Sequence, residues 1–382
     1  MDSSPAHARR VVLPAYHWFA AFALAVLIGY GLRSAWPRPP RLWDFGAFWL
    51  AGRAASRGLD PYSVSVLAKL SASFGVEYTR VNLNPPLSLL IFEPLSWLDP
   101  ATAFIASWSL SLLAYVAIVG TELRMAPGWI LLRAMWALSL GGLWYTLDLG
   151  QIYVLLLLLA WPSYRASPGR VLLPCVAAGL LVALKPHYGI WPCVLLAAGH
   201  RREGAGTLLA ACAFWLLSLS WQGIPIHLAW LAALRDESAA SLASNASWTR
   251  LLADLIGGFM GEWFAAVAGA ALMLGLLWHA AVARPSRRQC ADLSLTLATA
   301  LSPVAWAGYT VLLLPALMRR AWGPRLAGAA ALLALPANLL FQLTAHAPLH
   351  PARMLYPLAL ALITWDLLAR PAQAEIAAAA AA

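Results

Sequence analysis

Long apolar runs recur from one end of this chain to the other, and they decide its fold class. The first is "AYHWFAAFALAVLIGYGL" (15–32), and comparable stretches follow throughout. Runs of about 18 or more apolar residues with few charges have the length of a bilayer crossing. No water is available inside a bilayer to satisfy the backbone, so only helices and closed barrels cross it. The runs are continuous rather than alternating, which selects helices over a barrel. The chain therefore reads as an all-α, polytopic transmembrane protein. Its composition, 62% hydrophobic and 11% charged, agrees; a soluble domain is about half apolar and about a quarter charged.

About twelve spans are expected, at 15–35, 102–122, 131–147, 152–165, 171–187, 188–200, 206–222, 263–283, 290–304, 305–318, 325–343 and 353–369. Residues 85–98 are apolar but short and broken by Pro94, so they read as re-entrant or interfacial. Placing Arg9 and Arg10 in the cytoplasm puts the other short basic loops there too: Arg124 and Arg133, Arg165 and Arg170, Arg201 and Arg202, Arg284 to Arg288, Arg319 to Arg325, and Arg370. This satisfies the positive-inside rule. The long connections 36–101 and 223–262 then lie outside, along with "DLGQ" (148–151), "KPHYG" (185–189), "WAGY" (306–309) and "HAPLH" (346–350). Loops on a rigid scaffold commonly carry function, so a site facing the periplasm of a bacterial inner membrane is expected. Residues 1–370 read as one membrane domain, with 371–382 a low-complexity tail.

The net charge of +10 is accounted for by cytoplasmic loops, and no nucleic-acid motif accompanies it. Cys175, Cys193, Cys212 and Cys290 lack metal-ligand spacing and read as small core residues. The first segment is expected to be retained as a helix rather than removed as a signal peptide. The 20 Trp suit interfacial belts and equally a cavity that accepts sugar or lipid.

Several polar stretches interrupt this apolar background. In "WDFGAFWLAGRAASRGLDPY" (43–62), Asp44 opens a short interfacial helix with a greasy face, and Arg53 and Arg57 share another face. Asp44 suits an N-cap, and it equally suits a general base in a partly apolar pocket. Asp60, before Pro61 in a turn, reads as structural. Pro85 and Pro86 start the following helix. Gln151 can bond a sugar hydroxyl or cap a backbone. In "LVALKPHYGIWP" (181–192), Lys185 ends a span that Pro186 breaks, beside His187. An ionisable residue at membrane depth points to function, and lysine suits phosphate; a snorkelling lysine is the alternative.

In this order, these stretches resemble the polyprenol-phosphate-dependent glycosyltransferases of family 87, within the GT-C superfamily. The matching positions are 44–62, 85–95, 150–151, 185–186 and 302–306, and the resemblance runs to about residue 320. It implies a GT-C-like helical fold with interfacial helices in the first outer loop. It also implies inverting transfer of a sugar, often mannose, from a polyprenyl-phosphate donor to a lipid or glycan acceptor outside, with Asp44 as the base. Members often continue the "SP…W" stretch with Asp or His, where this chain has Ala307, Gly308 and Tyr309.

Such a reaction needs a base, cations for the departing phosphate and a groove for the lipid tail. Asp44 is the candidate base. Lys185, His187, Arg53 and Arg80 are candidate phosphate cations. Gln151, Trp49, Tyr62, Trp306 and Tyr309 are candidate donor contacts. The donor carries its own leaving group and no paired-aspartate nucleotide-sugar motif is present, so no metal or other cofactor is expected. The alternatives are a catalytically silent membrane subunit, raised by the residues after Trp306, and a lipid or glycolipid transporter. A transporter is expected to show repeats and a polar path at midplane, whereas the polar clusters here gather on one side.

Overall fold

The structure, a computed structural model, describes residues 15–37, 42–77, 82–126, 129–167, 169–236, 245–344 and 350–369. It is helical almost throughout. Among the described residues, the β-structure is an isolated antiparallel bridge between Asn245 and Trp306. The helices, in chain order, are α1 (Ala15–Ala35), α2 (Trp43–Ala55), α3 (Val64–Phe74), α4 (Leu89–Leu95), α5 (Pro100–Leu123), α6 (Ile130–Ser139), α7 (Gly141–Leu149), α8 (Tyr153–Arg165) and α9 (Leu172–Leu184). The second half adds α10 (Ile190–Ala197), α11 (Arg201–Asp236), α12 (Trp248–Ile256), α13 (Gly258–Ala283), α14 (Arg287–Leu301), α15 (Leu314–Met318), α16 (Pro324–Leu333), α17 (Ala337–Thr344) and α18 (Leu355–Ala369). Short 3₁₀ turns at Pro86–Ser88, Pro186–Gly189, Ala307–Leu313 and Pro351–Met354 lead into α4, α10, α15 and α18.

Among the described residues, six helical stretches are long and apolar enough to cross a membrane. They are His17–Ala35, Pro100–Leu123, Ile130–Leu149, Arg201–Arg235, Gly258–Ala283 and Pro351–Ala369. A seventh arises if α16 and α17, bent by 73° at their junction, count as one span. The other expected spans are helices of 13, 13, 8 and 15 residues (α8, α9, α10 and α14) and the run 307–318. At 1.5 Å per residue, a 13-residue helix covers about 20 Å, short of a hydrocarbon core of about 30 Å. These pieces lie largely inside the protein, with α14 buried from Gln289 to Ala300, so they need not reach both surfaces themselves. Residues 85–98 form a 3₁₀ turn and the seven-residue α4, too short to cross.

α14 shows how a polar sequence becomes a core helix. Ser286 caps it, bonding the Gln289 N–H while the Gln289 side chain returns to the Ser286 N–H. Thr296 and Thr299 donate to carbonyls one turn back at 2.7 and 2.9 Å, which satisfies hydroxyls that burial would otherwise leave costly.

At the end carrying the basic loops, buried charges tie the helices together. Glu122 of α5 is completely buried. It accepts two hydrogen bonds from Arg319, at 2.5 and 2.8 Å, and a third from Trp161 of α8 at 2.9 Å. Arg319 also donates to the Tyr164 carbonyl, while the Tyr164 hydroxyl donates to Asp292 of α14. Arg320 lies 3.8 Å from both Asp292 and Asp366 of α18. Arg133 of α6 donates to the carbonyls of Leu317, Met318 and Arg320, satisfying groups that the end of α15 leaves exposed. The cysteines divide: Cys175 and Cys290 are buried, as expected, but Cys193 and Cys212 are exposed on α10 and α11. A thiol is apolar enough for such a position.

Removing one partner of a buried ion pair strands the other, at a cost of about 3–5 kcal/mol. Glu122→Ala should therefore lower stability by about that amount in detergent unfolding, and Glu122→Gln, which keeps the acceptor oxygen, by less. An unchanged unfolding midpoint for Glu122→Ala would refute the clamp.

Candidate active site

The pocket that matters is built from five distant parts of the chain. Asp44, Ala47 and Phe48 of α2, Leu83 and Asn84, Gln151 and Tyr153, Lys185, and Trp306 line it together.

α2 supplies one wall. Asp44, Ala47 and Phe48 fall at i, i+3 and i+4, on one helical face. The rest of the helix is enclosed as well: Phe45, Trp49, Leu50, Ala51 and Ala54 are all buried. Phe45 packs edge-on against Phe104 of α5 and Trp49 against Phe74 of α3, while Phe48 stacks on Phe92 of α4. α2 is thus enclosed by α3, α4 and α5. Its N-cap is Leu42, and Asp44 sits inside the first turn. The Asp44 carboxylate turns toward the pocket, where Oδ2 accepts a hydrogen bond from Gln151 Nε2 at 2.5 Å.

Gly150 explains why that glutamine arrives there. It ends α7 with φ +65°, the left-handed conformation that favours glycine. The Gln151 N–H then turns back to the Thr146 carbonyl at 2.9 Å. A side chain on Gly150 would also collide, since its Cβ would lie 2.6 Å from Phe45 Cβ. The glycine lets the chain reverse and lets α2 approach, and the glutamine bonds the aspartate. The Gln151 side chain thus bonds the Asp44 carboxylate, which is neither of the two roles open to it from sequence.

Lys185 closes α9, with Pro186 breaking the helix behind it. Its Nζ lies 5.8 Å from the Tyr153 ring centroid and 5.5 Å from that of Tyr309, within cation–π range. The aromatic rings support the ammonium while it faces the pocket. Tyr309 is buried beside Tyr153, their centroids 4.3 Å apart. Where a polar residue was expected after Trp306, Gly308 instead lets the Tyr153 ring lie against the backbone, since a Cβ there would come within 2.3 Å of it. Trp306 is positioned by Asn245, which bridges to it and whose Oδ1 accepts from the N–H groups of Ala305 and Ser247.

The remaining expected site residues are placed elsewhere. His187 packs against Tyr188 and Tyr309, with a buried Nε2 that has no hydrogen-bond partner. Trp49 donates to the Leu98 carbonyl and Arg53 to that of Ser96, and Arg53 and Arg57 flank the Phe74 ring; these contacts hold α2 in place on the side away from the pocket. Tyr62 is buried, and its hydroxyl donates to the Asn84 carbonyl at 2.8 Å. Burial, and then nearby Asp60, push its pKa well above the usual tyrosine value, so it remains a neutral donor. Arg80 lies outside the described residues, as do residues 346–349 of "HAPLH", Arg9, Arg10 and the 371–382 tail.

Sequence reasoning missed Asn84, Asn245 and Tyr153. The "NLN" before Pro85 and Pro86 was the available signal for the first: an extended entry makes no internal ladder, so buried polar side chains there must bond one another. Among the described residues, no three His, Cys, Asp or Glu side chains converge as a metal site.

The family model for glycosyltransferase family 87 matches residues 82–305. The chain belongs to glycosyltransferase family 87. A curated relative, the polyprenol-phosphate-mannose-dependent alpha-(1-2)-phosphatidylinositol mannoside mannosyltransferase of Mycobacterium tuberculosis, is 27% identical over 335 residues, covering 79% of this chain and 75% of its own. No solved structure matches. The protein is a glycosyltransferase, and the pocket joins Gln151 and Lys185 from the matched region to Asp44 ahead of it and Trp306 just past it.

Gly150→Ala should both destabilise the fold, by about 1 kcal/mol or more for the left-handed backbone alone, and push Gln151 off Asp44. Its unfolding midpoint and its turnover should fall together; a variant matching the native protein in both would show that the turn tolerates a side chain.

Proposed function

We propose that this protein transfers a mannosyl or similar sugar from a polyprenyl-phosphate donor to a hydroxyl of a lipid- or glycan-linked acceptor, with inversion, at a pocket on the outer face of the membrane. One observation carries the reading: Asp44 and Lys185, a base and a cation from remote parts of the chain, line the same pocket with Gln151 and Trp306. The family membership and the printed donor of the curated relative support the same class of reaction.

The chemistry follows from the placement. The acceptor oxygen attacks the anomeric carbon as the bond from that carbon to the phosphate oxygen breaks. Asp44 takes the acceptor's proton, and the Gln151 hydrogen bond fixes the carboxylate for that task. Lys185 neutralises the charge that develops on the departing polyprenyl phosphate. His187 acts through packing: its ring contacts Tyr309, which in turn flanks the Lys185 ammonium. The leaving group is built into the donor, so no nucleotide or metal is called on. Among the short inner helices, α8, α9, α10 and α14 complete about twelve partial or full crossings, with both termini on the cytoplasmic side.

Asn caps and accepts hydrogen bonds much as Asp does but cannot act as the base. Asp44→Asn should therefore fold, bind donor nearly as well as the native protein and turn over about 10²–10⁴-fold more slowly. Lys185→Ala should instead weaken donor binding more than acceptor binding. Native turnover in the first variant, or native donor affinity in the second, would remove that residue from the mechanism. The orientation is checked by single cysteines at positions 201 and 63 in a cysteine-free background: an impermeant thiol reagent added outside should label 63 and spare 201, and the reverse pattern would invert the topology.

A further inference from the structure

Asn84 enters the pocket on a loop held from three directions. The Tyr62 hydroxyl donates to its carbonyl at 2.8 Å, and Trp230 Nε1 donates to the neighbouring Leu83 carbonyl at 3.1 Å. Asn82 Oδ1 accepts from both the Asn84 backbone N–H and Asn84 Nδ2, each at 2.9 Å. That shared acceptor fixes which way the Asn84 amide faces. A backbone N–H can only donate, so the Asn82 atom meeting it is oxygen. The same oxygen meets the Asn84 side chain, so the Asn84 atom facing it is the NH₂ group. The Asn84 carbonyl oxygen therefore points the other way.

Asn84 is 2% exposed and lines the pocket beside Asp44 and Lys185, yet its Oδ1 has no hydrogen-bond partner. A buried acceptor left unmet is costly, and a ligand that brings a donor removes the cost. Phosphate oxygens only accept and so cannot meet Asn84 Oδ1, whereas Lys185 in the same pocket can donate to them. A hydroxyl group donates and fits. By the transfer chemistry, the moving sugar lies between the base and the phosphate cation, within reach of the same walls.

We propose that Asn84 Oδ1 accepts a hydrogen bond from one hydroxyl of the transferred sugar and so sets sugar specificity. The assignment rests on the glycosyl-transfer reading above. A site built to bond a hydroxyl penalises the analogue that lacks it, because its own polar group then stays unpaired.

The test uses full-length protein with polyprenyl-phosphate mannose and its four analogues deoxygenated at C2, C3, C4 or C6. In the native protein, one deoxygenation should lower kcat/KM by about 10- to 100-fold. Asn84→Ala should lose a similar factor on the parent donor and no longer distinguish it from that one analogue. Its discrimination against the other three should be unchanged. Asn84→Ser, which keeps a polar side chain in the loop, provides the same comparison if the alanine variant does not fold. If the variant that folds loses the same factor on all five donors, or loses nothing, the assignment is overturned and Asn84 is a brace for its loop. A native protein inert toward all five donors would instead overturn the mannosyl-transfer reading on which the assignment depends.

Discussion

The site exists because α2 can press against the reversal between α7 and α8. That contact depends on a position without a side chain: Gly150 adopts a backbone turn closed to other residues at low cost, and in doing so leaves room for Phe45. From it follow the hydrogen bond between Gln151 and Asp44 and the entry of α8 with Tyr153 at its head. The aromatic contacts of Phe45, Phe48 and Trp49 with α5, α4 and α3 then hold the aspartate-bearing helix from three sides. Packing around its helix and the Gln151 hydrogen bond together fix the carboxylate.

The two ends of the helical assembly use polar groups in opposite ways. At the end with the basic loops, charges are buried and closed on one another, with Glu122, Arg319, Tyr164 and Asp292 forming a continuous path across α5, α8 and α14. At the other end, polar atoms converge on a space. The same helices serve both ends: α8 begins beside the pocket and finishes at Arg165 near the ion network, while α14 begins near the network and delivers the "SPVAW" turn to the pocket. A closed network gives rigidity, and an open one leaves bonding capacity for a substrate.

Much of this was legible in the sequence, in a particular way. Composition and run length gave the all-helical membrane class, because the bilayer leaves few other options. Asp44, Gln151, Lys185 and Trp306 could be singled out because each is a polar or aromatic interruption at a helix end. Run length could not distinguish a helix that crosses the membrane from one buried inside the protein, which is why α8, α9, α10 and α14 read as spans although they hold only 8 to 15 residues. Trp49 and Arg53 were misplaced because a residue in a functional stretch can equally face away from the pocket, and only packing decides. Asn84 and Asn245 were missed because both act in irregular segments, where no periodicity marks an inward side chain.

α11 is two helical pieces joined at Gly223, whose backbone leaves the helical range and whose carbonyl His227 engages at 2.9 Å. Beyond the kink, Ile224, Leu228 and Leu231 are exposed, as suits residues in contact with lipid, while Trp230 turns inward and holds the Leu83 carbonyl. One wall of the pocket is therefore suspended from a helix segment whose other side presents exposed apolar side chains. Any tilt of this segment is therefore passed through Trp230 to Leu83 and Asn84. The kink at Gly223 thus couples an outer apolar surface of the protein to one wall of the pocket.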